Sequence, residues 1–83
     1  MKQITIYDLI PLLRDGYVSM SIDGDWWFHN RKPLIFESDG RFIVTGEMDG
    51  YTCCLQEIFN IKRFKGDWKD SLIKVEHKDK DIR

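Results

Sequence analysis

The residues with the greatest chemical reach lie in one run, Asp23-Gly24-Asp25-Trp26-Trp27-Phe28-His29, followed at once by Arg31 and Lys32. Successive side chains on a strand point to opposite faces, so two adjacent tryptophans cannot share one. The alternation buries Trp26 and Phe28 and leaves Trp27 exposed, on the face it shares with Asp25 and His29. An exposed Trp on a small protein is a candidate contact surface. Arg31 and Lys32 follow this strand directly, and Lys62, Arg63, Lys65 and Lys69 cluster later. A basic rim beside an exposed indole can pair phosphates while a base stacks on the ring, which suits a small nucleotide better than a long polyanion. Taken one at a time, the same cations read more plainly as solvated strand ends and turns.

Other chemistries find less support in the residue types. Ser19, Ser21, Ser38 and Ser71 sit in no nucleophile-elbow context, and no pattern supplies a base with an orienting partner. Cys53 and Cys54 could act with a histidine in principle, but His29 and His77 are the only two and neither carries a signature beside it. Asp23, Asp25, Asp39 and Asp49 stand in turns, where Asp is favoured for its own sake; an acid–base pair is the weaker reading. The six glycines are isolated turn glycines with no phosphate-loop spacing. Adjacent cysteines do not make a disulfide framework, and one buried and one half-exposed thiol are expected. No histidine and cysteine spacing suggests zinc, and no metal or cofactor is expected.

Eighty-three residues, 42% apolar and 33% charged, make one globular domain rather than a disordered chain. Aromatic residues, 13% of the total, help so small a core bury area. The formal net charge of −1 excludes the basic excess of a non-specific nucleic-acid binder and the acidic excess of a DNA mimic, so no long nucleic acid is expected as partner. No apolar run reaches membrane-spanning length and the N-terminus lacks a signal-peptide core, so a cytoplasmic location without membrane contact is expected.

These residues must be positioned by short elements. Thr5-Ile6-Tyr7-Asp8 is a variant capping box, and Ile6, Leu9, Ile10, Leu12 and Leu13 recur at near-helical spacing. Pro11 should bend or shorten that helix, and Gly16 marks its stop. Tyr17 to Ile22 alternates as a half-buried strand, Asp23-Gly24 reads as a two-residue hairpin turn, and Asp25 to Asn30 returns. Further strands are expected at Leu34–Phe36, Arg41–Thr45, Asn60–Phe64 and Leu72–Val75, with a mobile polar stretch over 46–50. Helical turns are expected at 55–59 and 67–71. The domain spans 1–76, with 77–83 a frayed charged tail. The expected class is α+β: a short N-terminal helix plus a small, strongly bent antiparallel sheet or partly open barrel.

The opening Thr5-Ile6-Tyr7-Asp8-Leu9-Ile10-Pro11-Leu12-Leu13-Arg14-Asp15-Gly16-Tyr17-Val18 resembles the start of many small phage and prophage proteins. It is similar to the phage anti-Thoeris family of nucleotide sponges through Thr5, Leu13, Arg14, Gly16 and Val18, then Trp26 or Trp27. Asp67-Trp68 is similar to that family's closing Asp-Trp. The chain departs from the pattern at Pro11, at Tyr17-Val18-Ser19-Met20 in place of a basic strand, and across 34–63. The resemblance implies a non-enzymatic homo-oligomer that traps cyclic nucleotide immune signals, such as cyclic ADP-ribose isomers, at subunit interfaces in the host cytoplasm. Aromatic rings would stack on the base and Arg or Lys would hold the pyrophosphate. On that reading the ligand-binding residues are Trp27, His29, Arg31, Lys32 and Arg63. The alternative is a protein-interaction module that docks a host or phage protein through its aromatic face; an enzyme is a third reading.

Overall fold

The computed structural model describes residues 3–46 and 48–77. The predicted tail therefore lies outside the described residues, apart from His77. That residue is held: its backbone N–H donates to Asp15 Oδ1 at 3.1 Å and its ring Nε2 meets the Leu13 carbonyl.

The chain begins with helix α1, Ile6–Leu9. Its capping box forms as expected. The Asp8 N–H donates to Thr5 Oγ1 at 3.2 Å, and the Thr5 N–H donates to Asp8 Oδ2 at 3.0 Å. The bond from the Thr5 N–H, then that from the Thr5 side chain, holds the Asp8 carboxyl below its ordinary pKa. Pro11 acts as predicted, since α1 gives way to a 3-10 turn over Ile10–Leu12. Gly16 does not stop the helix. Leu13 is already extended, and Gly16 opens strand β1, Gly16–Met20. Its role is clearance, because a Cβ there would stand 2.6 Å from both the His29 carbonyl oxygen and the Phe28 ring.

Strand β2, Trp26–His29, pairs antiparallel with β1 in the register Val18↔Phe28 and Met20↔Trp26. The expected two-residue turn is a three-residue loop, Ile22 to Gly24. It is closed by Ser21 N–H to the Asp25 carbonyl at 2.9 Å and Gly24 N–H to the Ser21 carbonyl at 2.9 Å, with Gly24 at φ 92°. The hydrophobic pattern explains the difference. A two-residue turn would set Trp26 opposite Ser21, whereas the observed register puts Val18, Met20, Trp26 and Phe28 on one face.

Strands β3, Leu34–Phe36, and β4, Arg41–Ile43, form a separate hairpin. Strand β4 is shorter than expected. Strand β5, Thr52–Cys54, was not foreseen; it pairs with β2. The expected strand over 60–64 is not one: Ile61 makes only an isolated parallel bridge with Ile4. A 3-10 turn at Trp68–Asp70 leads into β6, Ile73–Val75, on the far side of β1. The architecture is α+β, a four-stranded antiparallel sheet in the order β5-β2-β1-β6 beside the β3–β4 hairpin, and it does not close into a barrel.

The core lies on the sheet face that carries Val18, Met20, Trp26, Phe28 and Val75. Ile6, Leu9, Leu55 and Ile61 cover it. Where the β1–β6 ladder ends, buried Ser71 continues the pairing: the Met20 N–H donates to Ser71 Oγ at 2.8 Å. The β3–β4 hairpin packs against β1, and the Ile22 N–H donates to the Gly40 carbonyl at 2.7 Å. The second sheet face is therefore shielded too, and Ser19, Ser21 and His29 on it are buried. Among the described residues, no helix is long and apolar enough to cross a membrane.

Candidate ligand-binding site

The most promising concavity is one the sequence showed only in part. Segment 61–65 runs beside the N-terminal segment, fastened by Ile4 N–H to the Asn60 carbonyl at 3.0 Å and Lys62 N–H to the Ile4 carbonyl at 2.8 Å. On its other side the Trp26 indole N–H donates to the Lys62 carbonyl at 2.9 Å, and the Phe64 N–H contacts Met20 Sδ at 3.1 Å. Phe64 meets Trp26 edge to face, with ring centroids 6.4 Å apart. The backbone of Lys62 to Phe64 is thus anchored to the core. Its cationic side chains, together with Thr5, Tyr7 and Lys65, line a cavity of about 420 Å³.

Its chemistry is basic and aromatic. Lys62, Arg63 and Lys65 are exposed, and among the described residues none has a carboxylate within salt-bridge range. Arg63 is steadied by one bond, Nη1 to the Asp23 carbonyl at 3.3 Å, and its guanidinium lies over Gly24. Tyr7 is largely exposed and Phe64 half-buried. Lys62 acts on the Asp8 carboxyl only at longer range, and exposed cations beside two accessible rings can take an anionic group and a planar one together.

The five residues predicted from the sequence do not meet. Only Arg63 lines this cavity. Trp27 is half-buried rather than exposed, because the β3–β4 hairpin stands against its face of the sheet. It lines a different, shallower hollow with Asp23, Asp39 and Arg41. Its indole N–H is buried and has no hydrogen-bond partner among the described residues. Arg31 is engaged by Asp49, Nη2 to Oδ2 at 2.6 Å. Lys32 is exposed in the loop before β3. Tyr7, Phe64, Lys62 and Lys65 replace them. The run Lys62-Arg63-Phe64-Lys65 was visible as a cationic cluster. Nothing in the sequence placed Tyr7 beside it.

His29 is corrected more strongly. It is 1% exposed, and both ring nitrogens are bonded, Nε2 with Ser19 Oγ at 2.8 Å and Nδ1 with Thr52 Oγ1 at 2.9 Å. Burial lowers its pKa to about 4, so the ring is neutral near pH 7. A hydroxyl on a histidine nitrogen is the arrangement of a nucleophile and its base. Ser19 is also only 1% exposed, however, and the pair reads as a satisfied polar bridge across β1, β2 and β5. Neither thiol is fully buried, against expectation: Cys53 is exposed and Cys54 half-buried.

The chain matches no protein-family model, and neither a curated protein nor a solved structure matches it significantly.

Proposed function

We propose that this protein acts by binding rather than by catalysis, and that it sequesters a small phosphate-bearing nucleotide in the cavity between α1 and the segment 62–65. One observation carries the reading. Lys62, Arg63 and Lys65 converge with Tyr7 and Phe64 on a single hollow whose backbone is tied to the core. The phosphates would lie on the cations and the base on a ring. The resemblance noted in the N-terminal segment supports a cyclic nucleotide immune signal as ligand and a phage counter-defence role, with a homo-oligomer as the working form.

The test is thermal unfolding of the purified chain with cyclic ADP-ribose isomers, cyclic dinucleotides and cyclic oligonucleotides. A ligand present at a hundredfold over its Kd adds about 2.7 kcal/mol, which raises the Tm of a domain this small by about 10 °C or more. Lys62→Gln with Lys65→Gln should abolish the rise. A flat panel would refute the reading. It would favour the alternative, a protein-interaction module, for which Leu34 and Ile35 of β3 supply exposed apolar surface at 57% and 40% accessibility.

A further inference from the structure

Another hollow lies away from the basic cavity, where the chain leaving the Ile10–Leu12 turn meets β2 and β5. It is lined by Leu13, Arg14, Phe28, Tyr51, Cys53 and Leu55 and measures about 270 Å³. Its floor comes from the core: Phe28 and Leu55 are buried at 4% and 5% exposure and present only apolar atoms. The Phe28 and Tyr51 rings stand 6.3 Å apart, tilted by 42°, and form one aromatic wall. At the rim, Arg14 Nη1 reaches the Tyr51 hydroxyl at 3.5 Å. Among the described residues no carboxylate lies in salt-bridge range of Arg14. The guanidinium thus has four further donors to offer at a hollow whose other lining is mostly apolar.

We infer that this hollow is a binding site for a small amphiphilic carboxylate, an aryl-alkyl acid whose ring enters between Phe28, Tyr51 and Leu55 and whose carboxylate pairs with Arg14. The charge chooses the headgroup: a planar guanidinium that pairs with no carboxylate among the described residues favours a carboxylate in two-point contact. The lining chooses the tail, since nothing on the floor can satisfy a buried polar group. The size limits the ligand, because roughly 300–1,000 Å³ is usual for drug-sized molecules, and a hollow below that range suits a fragment. This site shares no residue with the basic cavity, and its occupancy does not depend on nucleotide binding there.

Cys53 on the lining provides the readout. In a Cys54→Ser chain it is the sole cysteine, and its alkylation by iodoacetamide reports occupancy. 4-Phenylbutyrate should slow the reaction several-fold at saturation. 4-Phenylbutanol, the same tail without charge, should need about tenfold more, the worth of one charge-assisted pair. Arg14→Gln should remove the difference between acid and alcohol. Equal protection by the two in the parent chain would overturn the assignment to Arg14, and protection by neither would overturn the site. NMR titration of the unsubstituted chain gives the same decision without relying on a variant. Shifts at Leu13, Phe28, Tyr51 and Leu55 are expected, and shifts confined to Tyr7, Lys62 and Phe64 would place the acid in the other cavity and refute the inference.

Discussion

Acidification should weaken this fold well above the pH at which carboxylates titrate, and His29 is the reason. The imidazole lies between Ser19 and Thr52 inside the sheet, and desolvation lowers its pKa from 6.5 to about 4. Both hydroxyls could rotate to accept from an imidazolium, so the cost of protonation is burial of the charge rather than a lost hydrogen bond. In the unfolded chain the ring takes up a proton near pH 6.5; in the folded chain it resists until about pH 4. Between those values the unfolded state binds more protons, so stability falls as pH falls and is flat above pH 6.5. At about 1.36 kcal/mol per pH unit, the drop approaches about 3 kcal/mol across the window, a large share of the few kcal/mol that one small core supplies. The assay is urea unfolding followed by Trp fluorescence at pH 7.5, 6.5, 5.5 and 4.5, on the parent chain and on His29→Gln. The parent midpoint should fall steadily below pH 6.5 while the variant, weaker at neutral pH, changes little over the same range. The substitution leaves Asp8, whose carboxyl Thr5 holds below its ordinary pKa, in place in both chains, so its contribution cancels. Parallel pH profiles for the two chains would refute the argument.

Two further substitutions probe how the sheet is held. Ser71→Ala removes the side-chain acceptor of the buried Met20 N–H and should cost about 1–3 kcal/mol in urea unfolding; a change within error would mean that water replaces the hydroxyl. Gly16→Ala should destabilise by about 1–3 kcal/mol, because its methyl group would meet the His29 carbonyl and the Phe28 ring at 2.6 Å. A stabilised Gly16→Ala chain would show that β1 and β2 separate more easily than their packing implies.

Several local signals took the expected form, whereas the helix stop at Gly16 and the two-residue turn at Asp23-Gly24 did not. The Thr5–Asp8 capping box, the break at Pro11 and the short turn at Trp68 each depend on a few adjacent residues, and each formed. The alternation set Val18, Met20 and Ile22 on one face and buried Trp26 and Phe28; four of these five lie in the core, while Ile22 falls in the β1–β2 loop and is exposed. Other departures came where a residue's neighbours lay far along the chain. Thr52–Cys54 gave no strand pattern of its own and became one because β2 had an open edge. Ile61, flanked by Asn60 and Lys62, makes an isolated bridge with Ile4 rather than a strand.

The candidate site divides in the same way. That cations gather at 62–65 was written in the sequence. Which aromatic rings they meet was not, because the backbone bonds of Ile4 and Lys62 bring Tyr7 alongside them across more than fifty residues. Trp27 and His29 are the clearest lesson. Alternation along a strand says which side chains share a face, and it said so correctly for both. Whether that face meets water depends on what packs over it. The β3–β4 hairpin, joined to the β1–β2 loop by the Ile22–Gly40 hydrogen bond, stands beside Trp27, and Ser19 and Thr52 hold the buried His29, so a ring expected to meet ligand is instead a neutral strut inside the sheet.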